Sequence, residues 1–356
     1  LSVLSKNKVF SSFSNEEKEW NNHVELGLWA DTMIVSPATA NTISKIASGS
    51  CDNLLLAVIL SARCPVFIAP AMDHDMYLNK ITQGNIKKLK KNGFLLIDVE
   101  SGELASGLVG LGRLSEPEKT FEKIESFFLN QLPLSGVNCL VTAGPTYEQI
   151  DPVRFIGNFS SGKMGCCIAN ELQSLGANVE LIIGPSAEEI NQNIFVNRVV
   201  SSQEMYDISL KKFKNQDIVI FSAAVSDFSP KNIILKKIKT KEKMNLSLLK
   251  TKDILKKLGS IKKQQILFGF ALETDRELEN AKRKLKEKKL DSIILNSLND
   301  KGAGFGFDTN KITIIDNNLN IKEHPLMTKR EASKIIVKEA TNMFFNRFYS
   351  KKKIMK

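Results

Sequence analysis

The chain has 356 residues, 42% hydrophobic and 25% charged, too long for one ordinary core and in the range of a globular protein of two domains. Its net charge of +11 admits nucleic acid, a membrane surface or phosphorylated small molecules. Only eight of the 50 basic residues are arginine, however, and most lysines alternate with acids or asparagines, so the charge is weak evidence and neither nucleic acid nor membrane is the expected partner. No run approaches the roughly 18 to 20 apolar residues of a membrane span, and the opening LSVLSKNKVF has no cleavable signal pattern, which predicts a cytoplasmic protein. Five cysteines without a CxxC pair and three histidines build no zinc site of ordinary spacing and read as reduced thiols. The first residue is Leu inside an ordinary globular stretch, so a preceding segment is expected.

In chain order, WADTMIVSPA gives a short strand-type run (Thr32 to Val35), TANTISKIASGSCDNLLLAVILSA reads as helix, and CPVFIAPAM as a buried strand. This alternation argues for a parallel sheet. GNIKKLKKNGFLLIDVE adds a helix, a stop at Gly93 and a strand. LSEPEKTFEKIESFFLNQ is a helix with Pro and acids at its start, and LPLSG marks a join near residues 131–136. The second half repeats the grammar: VNCLVTAGPT as strand and turn, GKMGCCIANELQSLG as helix, ANVELIIGPS as strand, QEMYDISLKKFKN as helix, DIVIFSAAVSDFSPK as strand and loop. GPT, GPS and SAAVSD fall at carboxyl ends of strands, where doubly wound sheets bind ligands. SKKKIMK reads as a basic tail.

GNFSSGKM (157–164) fits the glycine, four-residue gap, glycine and lysine of a P-loop, but Met164 replaces the magnesium-holding hydroxyl. The preceding DPVRFI carries Pro152, which a central strand does not tolerate. A P-loop is therefore excluded. Asn158, Ser160 and Ser161 before Gly162 and Gly165 still suit an anion at a helix start; the stretch alone equally fits a plain capped helix.

LVTAGPTYEQIDPVRFIGNFSSGKMG, followed in order by SAAVSDFSP, KKIKTKEK, LLKTKDIL, LFGFALET, AKRKLKEKKLD and IILNSLNDKGAGFGFDTNKITII, resembles the phosphopantothenate–cysteine ligase part of the bifunctional coenzyme A biosynthesis family, from residue 134 to about 345. The resemblance implies CTP as co-substrate with Mg²⁺, a mixed acyl-cytidylate intermediate, and no assigned metal ligands. It places Asn158 on that intermediate and Asp227, Lys237, Lys252, Asp253, Ile254, Leu255, Phe270, Lys284 and Lys288 on the nucleotide. Lys237 would neutralise charge at the reacting phosphorus, although the fourth position of its Lys-x-Lys-Lys motif is Thr240 here. Arg154 suits a phosphate or carboxylate fork. Lys284 and Lys288 share one helix face.

NNHVELGLWADTMIVSPATANTISKIASG, APAMDHDMY and GELASGLVGLGRLSEPE resemble the same family's FMN-dependent phosphopantothenoylcysteine decarboxylase part, over residues 1 to about 130. The resemblance puts Ser36, Thr39, Asn41 and Met76 on FMN, makes His23 the essential base, and assigns Asp73 and Arg113 to the substrate and Ser106 to the final protonation. Two of these depart from the family pattern: Asp73 stands where an asparagine is usual, and Ser106 where a cysteine is usual. An ionised Asp73 would repel a substrate carboxylate, and a serine is a much weaker acid than a thiol.

Together these readings predict an α/β protein of two doubly wound Rossmann-like domains. Residues 1–133 form a flavodoxin-like flavoprotein domain lacking its first strand and flavin-phosphate turn, and residues 134–356 a ligase domain with a basic tail. The implied substrates are 4′-phosphopantothenate, cysteine and CTP, and a homo-oligomer is implied. Three alternatives remain open: ligase activity alone with a non-functional flavin half, an NAD(P)-dependent oxidoreductase lacking its usual G-x-G-x-x-G, and a nucleic-acid binder driven by charge.

Overall fold

Apolar runs short enough for strands, each followed by a capped amphipathic segment, fold here as two units, Leu1–Phe128 and Leu129–Lys356. The computed structural model describes residues 2–14, 20–239, 244–300 and 302–354.

The first unit contains α1 (Ser2–Ser5), α2 (His23–Trp29), β1 (Met33–Ala38), α3 (Ala40–Ser48), α4 (Leu54–Ser61), β2 (Val66–Pro70), α5 (His74–Leu78), α6 (Lys80–Lys91), β3 (Leu95–Leu96), β4 (Glu100–Glu103), β5 (Val109–Arg113) and α7 (Pro117–Leu129). The parallel sheet runs β1-β2-β3. Its middle strand, VFIAP, is buried throughout, as a parallel strand covered on both faces must be. The long helix expected over TANTISKIASGSCDNLLLAVILSA is two helices. Gly49, at φ 76°, ends α3 in the left-handed region, and the Asn53 side chain accepts from Leu56 N to start α4 afresh.

The second unit contains β6 (Asn138–Ala143), β7 (Tyr147–Gln149), β8 (Phe155–Gly157), α8 (Lys163–Ser174), β9 (Asn178–Ile183), β10 (Phe195–Arg198), α9 (Ser202–Phe213), β11 (Ile218–Phe221), β12 (Phe228–Pro230), β13 (Leu248–Lys250), α10 (Ile254–Ile261), β14 (Ile266–Glu273), α11 (Glu277–Glu287), β15 (Ser292–Ser297), β16 (Thr309–Asn310), β17 (Thr313–Asp316), β18 (Ile321–Glu323), β19 (Met327–Thr328) and α12 (Lys329–Ile354). Its main sheet runs β10-β9-β6-β11-β14-β15-β17-β18. The strands from β10 to β15 are parallel, in the order of a dinucleotide-binding sheet; β17 and β18 are antiparallel additions at one edge.

Period-two alternation sorts the core. Along β11, Ile218 and Ile220 join one apolar cluster with α8 and α12, while Val219 and Phe221 join the other with α9, α10 and α11. Helices thus cover both faces, the doubly wound arrangement the sequence predicts. Pro152 lies between the antiparallel β7 and β8, and residues 144–162 separate β6 from α8, so no strand feeds α8 directly. The basic tail continues α12 as helix to Ile354.

Candidate functional site

β6 and β11 are neighbours in the sheet, but the chain leaving β6 crosses toward β9 and the chain leaving β11 crosses toward β14. Such a reversal opens a crevice beyond the carboxyl ends of the two strands. GPT and SAAVSD, the loops after β6 and β11, are stitched together there. Ala224 N donates to Gly144 O (2.9 Å) and Thr146 N to Ala224 O (3.3 Å), while Thr142 Oγ1 and Thr146 Oγ1 accept from Ala223 N (3.2 Å) and Ser226 N (2.9 Å). The second loop is tied onward to the segment before α10, with Thr251 Oγ1 donating to Ser226 O at 2.7 Å.

The GNFSSGKM turn closes over the first loop. Gly162 caps α8 at φ 87°, and a Cβ there would lie 3.1 Å from the Gly144 amide nitrogen, so this close crossing needs glycine. Ser160 Oγ accepts from Gly162 N (3.3 Å) and Ser161 Oγ from Lys163 N (3.2 Å). The amides of Met164 and Gly165, in the first turn, have no carbonyl one turn back to bond. Asn158 Nδ2 donates to Ala224 O at 2.9 Å.

These elements enclose a cavity of about 590 Å³ whose wall includes Asn158, Asp227, Lys252, Asp253, Ile254, Leu255, Phe270, Lys284 and Lys288. That volume suits a nucleotide-sized ligand. Lys284 pairs with Glu273 at 2.6 Å and Lys288 with Asp253 at 3.0 Å. Asp253 also caps α10, accepting from Lys256 N at 2.9 Å. Lys252 Nζ stands 4.8 Å above the Tyr206 ring.

Two expected residues stand outside this wall. Arg154 Nη1 donates to Asp151 Oδ2 (2.5 Å) and to Ile238 O (3.3 Å). Burial pushes the Asp151 carboxyl up, but the amides of Val153, Ile238 and Arg154 and the Arg154 guanidinium outweigh it and hold the pKa at about 2. The Arg154 guanidinium is thereby used to pin the arm between β12 and β13. Lys237 is exposed on that arm, and Thr240 lies outside the described residues.

Lys329 was not expected in the site. It is 6% exposed, lines the cavity and donates from Nζ to Gly304 O at 3.2 Å. Asn310, 2% exposed, lines it too. The available signal was the capping box TKRE, with Glu331 Oε2 accepting from Thr328 N and Thr328 Oγ1 from Glu331 N. It puts a lysine in the first turn of α12, where the helix dipole disfavours a cation.

In the first unit, Ser36, Thr39 and Asn41 are exposed at the end of β1 and the start of α3, and Thr39 Oγ1 caps that helix by accepting from Thr42 N at 3.3 Å. His23 opens α2, with Phe13 and Trp20 edge-on to its ring; its Nδ1 is buried without a partner among the described residues. The β4–β5 hairpin docks on the chain after β2. Met72 N donates to Gly112 O (3.0 Å), Leu111 N to His74 Nδ1 (3.0 Å), and the Ser106 hydroxyl to Asp73 Oδ1. Met76 is half exposed, and Arg113 pairs with Glu116 at 2.7 Å. The fold thus brings Asp73 and Ser106 into direct contact, groups Ser36, Thr39 and Asn41 at the β1–α3 junction, and leaves His23, Met76 and Arg113 on α2, α5 and β5.

Residues 134–343 match the family described as DNA/pantothenate metabolism flavoprotein C-terminal domain, and residues 2–129 the family described as Flavoprotein. The Coenzyme A biosynthesis bifunctional protein CoaBC of Bacillus subtilis (strain 168) is 42% identical over 343 residues, 95% of this chain and 84% of that protein. The chain belongs to the bifunctional coenzyme A biosynthesis family. Within reach of the same comparison stands a Cysteine/Cysteine sulfinic acid decarboxylase from an unknown prokaryotic organism, 50% identical over 347 residues, 95% of this chain and 97% of that protein. The crystal structure of the C-terminal domain of a bifunctional CoaBC protein superposes with a TM-score of 0.53 at 38% identity, covering 61% of this chain and 100% of that one. That family membership makes the first unit a flavoprotein domain, and the second unit has the fold of the CoaBC C-terminal domain.

Proposed function

We propose that the chain carries out two successive steps of coenzyme A biosynthesis. Residues 134–356 join 4′-phosphopantothenate to cysteine at the expense of CTP, and residues 1–133 decarboxylate the phosphopantothenoylcysteine so formed to 4′-phosphopantetheine. One observation carries the ligase reading: Asn158 and the lysines of the α10 and α11 segments line one cavity at the strand-order reversal. In that cavity the pantothenate carboxylate attacks the α-phosphorus of CTP and pyrophosphate leaves. The cysteine amine then displaces CMP from the acyl carbon. Asn158 holds the acyl-cytidylate, and Lys284 and Lys288 exchange their carboxylate partners for nucleotide oxygens. Among the described residues no group of three or more His, Cys, Asp or Glu side chains could hold a metal, so this reading places Mg²⁺ on the nucleotide phosphates, with Asp227 available in the wall.

A homo-oligomer gives Lys237 and the arm a task. Leu235 is 87% exposed and Ile233, Ile234, Leu248 and Leu249 are exposed beside it, an apolar set of the kind that pairs with a second copy. Pairing would carry Lys237 toward a partner's cavity.

The residues at the end of β1 suit FMN. Exposed hydroxyls and an amide side chain (Ser36, Thr39, Asn41) sit beside the first turn of α3, and His23 Nδ1 is a shielded polar atom lacking a partner among the described residues. The bound flavin would accept and return a hydride. His23 would take the proton released as the substrate is oxidised, and the Asp73–Ser106 pair under the hairpin would face the substrate's polar groups.

That pair favours a second reading of the first half, decarboxylation of free cysteine or its sulfinic acid. An ionised Asp73 repels a carboxylate but attracts an α-ammonium group, which phosphopantothenoylcysteine lacks because its amine is acylated. The Cysteine/Cysteine sulfinic acid decarboxylase that is 50% identical supports this alternative.

Two assays test these readings. Pyrophosphate release from CTP and from ATP in the presence of phosphopantothenate should be strong in the wild type and nearly lost in Asn158→Ala; a background equal in both proteins removes the ligase assignment. Carbon dioxide release from phosphopantothenoylcysteine, cysteine and cysteine sulfinic acid separates the two decarboxylase readings, and release from none of them marks a silent flavin half.

A further inference from the structure

Three polar groups in the cavity wall have no task in the reaction as described so far. Lys329 is nine-tenths buried and opens α12, so its ammonium sits at the positive end of a helix dipole. Its Nζ donates to Gly304 O at 3.2 Å, and among the described residues no carboxylate lies within ion-pair distance of it. Lys163, in the first turn of α8, is close enough that burial first and then this second cation pull the Lys329 pKa down; Lys163 itself is paired with Asp308. Asn310 is 2% exposed, with Oδ1 lacking a partner among the described residues. All three residues line the cavity.

Burying the Lys329 ammonium without an ion-pair partner at a helix N-terminus, close to the Lys163–Asp308 pair and the start of α8, is unfavourable unless an anion enters. With Asp308 on Lys163, the surplus is the Lys329 ammonium plus the starts of α8 and α12, more positive charge than one carboxylate cancels. Lys284 and Lys288, on the α11 side of the wall, are neutralised by Glu273 and Asp253 and suit a less charged portion of the ligand. The charge is therefore graded along the cavity, with its buried ammonium, Lys329, which lacks a carboxylate among the described residues, at the start of α12 and close to Lys163 in the first turn of α8.

Resting on the ligase reading above, we propose that Lys329, with Lys163 and the first turn of α8, binds the β- and γ-phosphates of the nucleotide and stabilises pyrophosphate as it leaves. In that step a bond forms between the pantothenate carboxylate oxygen and the α-phosphorus. The bond from the α-phosphorus to the bridging oxygen breaks, and its electron pair departs on pyrophosphate. No proton transfer is required; the Lys329 ammonium donates a hydrogen bond to the oxygen on which charge grows.

The test uses the full chain. Pyrophosphate with Mg²⁺, and separately CMP, are titrated calorimetrically into wild type, Lys329→Met and Lys329→Arg, with melting curves verifying the fold. Wild type should bind pyrophosphate, Lys329→Met should bind it at least about tenfold more weakly, as expected for a lost charged hydrogen bond, and Lys329→Arg should retain most of the affinity. CMP affinity should stay within about twofold. No pyrophosphate binding by wild type, equal binding by Lys329→Met, or equal weakening of CMP overturns the proposal. In turnover, kcat for pyrophosphate release should fall in Lys329→Met while the KM for cysteine holds; a rise confined to the cysteine KM reassigns Lys329 to the amino acid and overturns it. Lys329-dependent pyrophosphate binding in a wild type that turns over neither CTP nor ATP removes the ligase reading, and with it the leaving-group role, but leaves an anion site. Normal wild-type turnover with an unaffected Lys329→Met removes the Lys329 site alone.

Discussion

Asn158 donates its side-chain amide to the carbonyl oxygen of Ala224 at 2.9 Å, joining the turn before α8 to the loop after β11. The bond crosses the strand-order reversal and adds a side-chain tie, from the turn before α8, to the bonds that already join the loops after β6 and β11. Asn158→Ala removes it and leaves the Ala224 carbonyl with one partner fewer. The expected stability loss is about 1 kcal/mol, a fall of roughly 2–4 °C in Tm for a unit of this size. Pyrophosphate release should fall far more than that small change in stability accounts for. Equal, small changes in both would reduce Asn158 to a structural brace.

Lys284 and Glu273, 2.6 Å apart, separate structure from binding. Lys284→Met leaves the mostly buried Glu273 without its cation and should lower Tm as well as weaken CTP. Adding Glu273→Gln should restore the Tm without restoring CTP affinity, since it removes the orphaned charge but not the need for a cation on the nucleotide. Calorimetric melting and CTP titration of the two variants read the two effects independently.

Gly112 is the point at which the hairpin of the first unit is most sensitive. At φ 128°, an added Cβ would lie 2.1 Å from Met72 O, inside any tolerable contact. Gly112→Ala should undock the hairpin and separate Ser106 from Asp73, abolishing carbon dioxide release while pyrophosphate release persists. Loss of both activities together would show that the damage is not local.

Asp151 gives a pH dependence with a definite sign. Its folded pKa, about 2, lies below the ordinary carboxylate value of 3.8. The unfolded chain therefore binds the proton first, and the stabilisation is complete above pH 4 and lost as pH falls through about 2. The gap in Tm between wild type and Asp151→Asn should be largest near neutrality and close between pH 4 and 2. A gap that is constant with pH would mean that the carboxylate charge does not hold the arm.

The stretches that carried most information in the sequence are those whose chemistry is local. Alternating apolar runs place β6, β9 and β11 because period two and burial on both faces leave few other ways to hide those side chains. Pro152 and Met164 excluded a P-loop from covalent facts alone. The single helix expected across residues 39–62 failed because its apolar content is continuous while its capping is not: Gly49 and Asn53 interrupt it, and periodicity is blind to a short break.

The sequence by itself determined the family resemblance, the two α/β halves and part of the cavity wall, from Asn158 to Lys288 but neither Asn310 nor Lys329, since motif order and hydrophobic period are written along the chain. Tertiary structure alone decided which of those residues meet. It committed Arg154 to Asp151 instead of an open wall, put Asp73 against Ser106, and buried Lys329 beside α8 from a position 166 residues further along. Burial, partner choice and charge compensation are properties of what surrounds a side chain in space, and separation along the chain carries no record of them.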